Sequence, residues 1–210
     1  ILQRQPRSAH DYYDHGVLHE RMGQYASAIL DYSQAIRFDP CLAQAYERRG
    51  TAYASLGQFE RALEEADEAI RIDPNSASAY VNRGATYEAI GQNQRALAEF
   101  SQAIALDPQS ANAYFRRGGS FELTGELERA IQEYGEAIRI NPNDAQAFFF
   151  RGRTLIRQPP DGDSSRTSSP SRKPRRPASA GWISQQILQA VRPISGSSRS
   201  AGRWRGPPSA

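Results

Sequence analysis

His15 and His19 stand four residues apart, with Asp11 four residues before His15, a spacing that can line up two imidazoles and a carboxylate on one helix face. Such a face could hold a divalent metal. Both histidines also occupy helix-packing places, and Cys41 is the only cysteine, so packing is the expected role and no metal or other cofactor is expected. Beyond residue 19 there is no histidine to act as a base, and neither G-x-x-x-x-G-K-[ST] nor G-x-G-x-x-G occurs. The carboxylates of ERALEEADEAI, residues 60–70, are spread around a helix as solvated charge. Asn82 and Arg116 suit different chemistry: an amide can hydrogen-bond the backbone of an extended peptide, and a guanidinium can pair with a carboxylate. The side chains therefore point to binding, and no enzymatic activity is expected.

The elements that must position these residues come from an internal repeat. Residues 46–74 read YERRGTAYASLGQFERALEEADEAIRIDP and residues 80–108 read YVNRGATYEAIGQNQRALAEFSQAIALDP, with Gly50 and Gly84 thirty-four positions apart. The same frame starts at Tyr12 and Tyr114, giving four full copies. Within a copy, Tyr46, Gly50 and Tyr53 at i, i+4 and i+7 predict a first helix, A; Ala62, Ala66 and Ala69 predict a second, B. Gly57, Gly91 and Gly125 lie between them, where a left-handed residue closes a helix. Asp-Pro or Asn-Pro at 39, 73, 107 and 141 ends helix B. A glycine inside helix A costs about 1 kcal/mol relative to alanine. The expected compensation is close approach, with Gly16, Gly50, Gly84 and Gly118 meeting the small Ala28, Ala62, Ala96 and Ala130 while tyrosine and phenylalanine fill the space around them. One pair leaves an apolar face uncovered, so the pairs must stack in series.

Tyr46, Gly50, Tyr53, Gly57, Phe59, Ala62, Ala69 and Pro74 resemble the tetratricopeptide repeat pattern, and the resemblance runs over about residues 9–157. It implies an all-α fold, a right-handed α-solenoid of helix-turn-helix repeats with a concave groove lined by the A helices. The expected copies are 9–42, 43–76, 77–110 and 111–144, with a partial fifth at 145–157 after a lead-in of residues 1–8. Pro159 and Pro160 bar a fifth helix B, so residues 145–157 are expected to form a terminal A helix with Phe148 facing the core. Ala66 in place of an aromatic, Asn93 in place of an apolar residue and His19 in place of a tyrosine are expected soft spots.

Opposite the core stripe of helix A runs a second stripe that changes from copy to copy: His10, Asp14, Val17; Gln44, Arg48, Thr51; Ser78, Asn82, Ala85; Asn112, Arg116, Gly119; Gln146, Phe150, Arg153. The resemblance puts it in the groove. With neighbouring Tyr13, Val81, Phe115 and Phe149, it supplies the candidate binding residues Tyr13, Asp14, Arg48, Thr51, Val81, Asn82, Phe115, Arg116, Phe149 and Arg153. The family's chaperone-tail clamp uses two lysines, two asparagines and one arginine. Copies two to four offer only Asn82 and Arg116, with Glu47, Thr51 and Asn112 at the other places, so that ligand is not expected.

Charge divides the chain. Residues 1–158 hold 17 arginines against 21 acids, whereas residues 159–210 hold nine basic residues against two aspartates. The Ser/Pro/Arg-rich tail, residues 158–210, buries too little apolar area to order itself and is expected to be disordered; nucleic acid is not an expected partner, except weakly through this tail. The abrupt change after Arg157 also fits a frameshifted or truncated reading of a longer repeat gene, and the start at Ile1 leaves room for a removed signal or a further N-terminal part. No apolar run approaches the roughly 20 residues needed to span a membrane. A single cysteine fits a reducing compartment, so a cytoplasmic location is expected. The expected function is a non-catalytic scaffold for a protein or peptide partner; the alternative is the targeting arm of a larger enzyme or regulator.

Overall fold

The computed structural model of the chain describes residues 7–158. Among them are nine α-helices and no strand, an all-α array of helix pairs. The A helices are α1 (Ala9–Arg21), α3 (Ala43–Ser55), α5 (Ala77–Ala89), α7 (Ala111–Leu123) and α9 (Ala145–Arg157). The B helices are α2 (Tyr25–Phe38), α4 (Phe59–Ile72), α6 (Asn93–Leu106) and α8 (Leu127–Ile140). Each helix packs on the next in sequence, and α1–α3, α3–α5 and α5–α7 also touch. The tail lies outside the described residues, as do the lead-in residues before Arg7.

The A-to-B turns share one chemistry. Gly23, Gly57, Gly91 and Gly125 have φ between 72° and 83°. The next residue's N–H returns five positions to a helix carbonyl, as in Gln58 N–H to Tyr53 O at 2.9 Å, so the glycine ends helix A and reverses the chain. The B-to-A turns use the residue before proline instead. Asp39, Asp73 and Asp107 each accept, through Oδ1, the backbone N–H two residues on at 2.9–3.0 Å. Ser76, Ser110 and Asp144 then cap the helices that follow.

The core differs from the expected stripe in one respect. On α3 the fully buried residues are Ala45, Gly50 and Ala52, while Tyr46 and Tyr53 are half-buried. These tyrosines carry Arg49 and Arg61 on their faces, each 5.5 Å from the ring centroid. The helix-A glycines do allow close approach, but their partners are not the expected alanines. A Cβ on Gly16, Gly84 or Gly118 would come within 2.6–2.9 Å of Tyr32, Phe100 or Tyr134. Only Gly50, opposite Ala66, meets the backbone oxygen of Ala62, at 3.3 Å, and the Cβ of Glu65, at 3.1 Å.

A ladder of ion pairs recurs at the same period. Arg49, Arg83 and Arg117 reach Glu65, Glu99 and Glu133 of their own copy at 2.8 Å. They also reach Ser33, Asp67 and Ser101 of the preceding copy, so each arginine ties two repeats together. Burial pushes the Glu65 and Glu133 carboxyls up, and the neighbouring guanidinium only partly offsets it.

Helix α9 covers the last pair. Ala147 and Thr154 are its buried residues, so Phe148 does not face the core: it is 37% exposed, at the place Tyr46 and Tyr80 occupy beneath a following copy. Phe150 turns inward instead, 5.4 Å edge-on from Phe115 and 6.1 Å from Tyr134.

Candidate functional site

The variable stripe of the A helices separates into three regions. At the N-terminal end, Tyr13 packs on Tyr32 with centroids 5.9 Å apart, Asp14 is exposed, and Arg48 reaches Glu20 at 3.3 Å. Glu20 also accepts the Tyr32 hydroxyl, at 2.6 Å; burial and this carboxylate push the hydroxyl well above the ordinary tyrosine range.

In the centre the structure brings together Thr51, Asn82 and Arg116, one from each of α3, α5 and α7. They line a cavity of about 250 Å³, with Gly50, Ala54, Phe59, Ala62, Ala66, Ala79 and Ala85 forming much of the rest of its wall and Glu47 also bordering it. It opens to solvent where Ser55, Ala89 and Arg116 are exposed. Both carboxylate oxygens of Glu47 are taken, by Ser76 Oγ at 2.7 Å and Ser78 Oγ at 2.6 Å. Among the described residues, no hydrogen bond engages the Asn82 amide or the Arg116 guanidinium. Arg116 instead acts through space on Glu88, whose carboxyl burial pushes up and Arg116 partly restores.

In the C-terminal region the charged side chains are engaged within the protein. Arg153 reaches the buried Glu122 at 2.9 Å and lies 4.3 Å over the Phe150 ring; Arg157 pairs with the same carboxylate. Burial pushes the Glu122 carboxyl up, but the bonds from Arg153 and Tyr134 and the charge of Arg157 outweigh it and hold it below the usual carboxylate range. Arg153 therefore fastens α9, a role that the groove assignment did not give it. Phe115 packs on Tyr134 and Phe150, and Phe149, 64% exposed, stands edge-on to Phe150. Val81 is the other correction: at 5% exposure it belongs to a core cluster with Phe100, because its place on α5 turns toward α6.

His15, His19 and Asp31 offer ligand atoms within 4.8 Å of one another, so the carboxylate beside the histidines comes from α2 and is not the Asp11 that the spacing suggests. The repeat supplies another account of the pair. His15 and Asp31 fall at the places of Arg49 and Glu65, and His15 Nδ1 is 2.9 Å from Asp31, a hydrogen-bonded copy-one counterpart of the ladder. His19 Nδ1 is engaged by Gln24 Oε1.

Reading the side chains missed the cavity. Its signal was legible: Ala66 stands in register with Tyr32, Phe100 and Tyr134, and Ala54 with Glu20, Glu88 and Glu122.

The "Tetratricopeptide repeat" family model matches residues 81–145, and the "TPR repeat" model matches residues 21–57 and 50–91. No curated protein matches the chain in sequence. Among solved structures, MamA is 28% identical, with a TM-score of 0.57 over 67% of this chain and 82% of that one. TTC0263, a thermophilic TPR protein of Thermus thermophilus, is 22% identical with a TM-score of 0.68, over 74% of this chain and 85% of its own. YrrB, described as a TPR protein with an unusual peptide-binding site, is 22% identical with a TM-score of 0.54, over 71% and 77%. The last two share the fold. With the family models running from residue 21 to residue 145 and the helix pairs stacked at their period, the chain belongs to the tetratricopeptide repeat proteins.

Proposed function

We propose that this protein is a non-catalytic, cytoplasmic scaffold that holds an extended peptide or helix of a partner protein against the A-helix face. The observation that carries this reading is the convergence of Thr51, Asn82 and Arg116, from three successive copies, on one open cavity. An amide and a guanidinium without hydrogen-bond partners at its rim suit a peptide backbone and a carboxylate. A charge-assisted hydrogen bond is worth about 1.5–3 kcal/mol, or about ten- to a hundredfold in affinity.

Partner capture from a lysate, followed by titration, tests the reading. Asn82→Ala with Arg116→Ala is expected to weaken binding about tenfold or more while the protein stays folded, at a modest stability cost because Arg116 partly offsets the burial of Glu88. Unchanged affinity removes this face as the binding surface and directs attention to Phe149. Gly84→Leu serves as the folding control, since a side chain there meets Phe100.

A further inference from the structure

The central cavity has the position of a missing side chain. In copies one, three and four the space between the helix-A glycine and helix B is filled by Tyr32, Phe100 and Tyr134, all fully buried. In copy two Ala66 leaves it open. Where a tyrosine stands, its hydroxyl reaches a carboxylate on the groove side, Tyr32 to Glu20 and Tyr134 to Glu122. The matching position in copy two is Ala54, so ring and acceptor are absent together and the space communicates with the groove.

The walls favour an apolar guest. The hydroxyls of Thr51, Ser55 and Thr86 donate to the backbone carbonyls of Glu47, Thr51 and Asn82 within their own helices, so their donors are already spent. Away from Asn82 and Arg116 at the rim, the alanine walls offer water few partners, and its displacement there by an apolar group is favourable. An engineered apolar cavity of about 150 Å³ accepts benzene, so about 250 Å³ has room for one ring but is below the usual range of pockets for drug-sized ligands. At the mouth, the positive Arg116 complements an acidic group on the same guest chain.

We infer that the cavity is an anchor pocket for one aromatic side chain of a peptide partner, entering from the groove to fill the place of the absent ring, with an acidic residue nearby at Arg116. The inference rests on the A-helix face being the binding surface. It adds that copy two completes its core only when a partner is bound.

The test uses the full chain and phage-displayed random dodecapeptides. Selection is expected to enrich one aromatic residue with Asp or Glu within a few positions. Ala66→Phe fills the pocket, so it is expected to keep or raise the melting temperature while weakening the selected peptides at least about tenfold, the value of burying one such side chain. If Ala66→Phe fails to fold, Ala54→Leu narrows the same space at a position where other copies carry glutamate. Enriched peptides without an aromatic residue, no enrichment, or undiminished binding by the folded pocket variant each overturn the pocket. If those peptides are still weakened by Asn82→Ala with Arg116→Ala, the groove stands without the pocket; if neither change matters, both readings fall.

Discussion

Gly84 and Phe100 approach so closely that a Cβ on the glycine would lie 2.7 Å from the ring. One copy earlier, Gly50 has no ring opposite it, because Ala66 takes that place, and a Cβ would find its nearest atom at 3.1 Å on Glu65. The same glycine thus has two physical roles: it admits an aromatic ring in three copies and borders an open cavity in the second. A repeat that varies in this way can keep its scaffold while changing what one copy presents.

Glycine-to-alanine replacements should separate the two situations. Gly84→Ala gains about 1 kcal/mol of helix propensity but must push a buried ring aside, and overpacking costs about 1–3 kcal/mol. Gly50→Ala keeps the propensity gain with a lesser clash. Chemical denaturation should therefore rank Gly50→Ala above Gly84→Ala by about 1 kcal/mol or more, and an equal effect at both sites would contradict the packing described.

The arginine ladder should matter more than the exposed ion pairs. Arg83 serves Glu99 and Asp67 from adjacent copies, and the Glu99 side chain is only 16% exposed. Arg83→Ala leaves that carboxylate without its counter-charge, an expected loss of about 1–3 kcal/mol in denaturation experiments. Arg71→Ala, at the exposed pair with Glu68, should leave the denaturation midpoint close to that of the parent.

Helix positions, glycine turns and Asp-Pro stops were legible because each depends on local backbone chemistry that recurs every 34 residues. Which residues share a copy's interior was less so. A helical wheel puts Val81 and Arg116 on neighbouring faces, yet Val81 is consumed by the α5–α6 contact while Arg116 stays at the groove. Arg153 occupies a groove position by register, but the buried Glu122 of the preceding copy recruits it. Those outcomes depend on contacts between copies, which periodicity within one copy does not encode.

Detaching α9 should test that last contact. Arg153→Ala with Arg157→Ala removes both guanidinium partners of Glu122, and the expected result is faster amide exchange across α9 and α8 than in α3 to α6. Uniform exchange along the array would mean that α9 is held by Phe150 and Ala147 alone.

Glu88 and Glu122 occupy the same place in successive copies and should respond to pH in opposite directions. Burial raises the Glu88 carboxyl above its ordinary value, so its contribution to stability is fully present below about pH 4.3, the unfolded value, and is lost as pH rises through the folded value. Glu88→Gln should therefore raise the melting temperature at pH 7, and the gain should vanish on acidification. Glu122 lies below its ordinary value because Arg153, Tyr134 and Arg157 outweigh burial. Its contribution is present above about pH 4.3 and is lost as pH falls through the folded value. Glu122→Gln should lower the melting temperature at pH 7 by a few degrees or more, about 2–4 °C for each kcal/mol lost in a chain of this size, and the difference should narrow toward pH 3. Melting curves of the parent and both variants between pH 3 and pH 7 measure this, and shifts of the same sign at pH 7 would refute the assignment of one carboxylate as burdened by burial and the other as secured by its arginines.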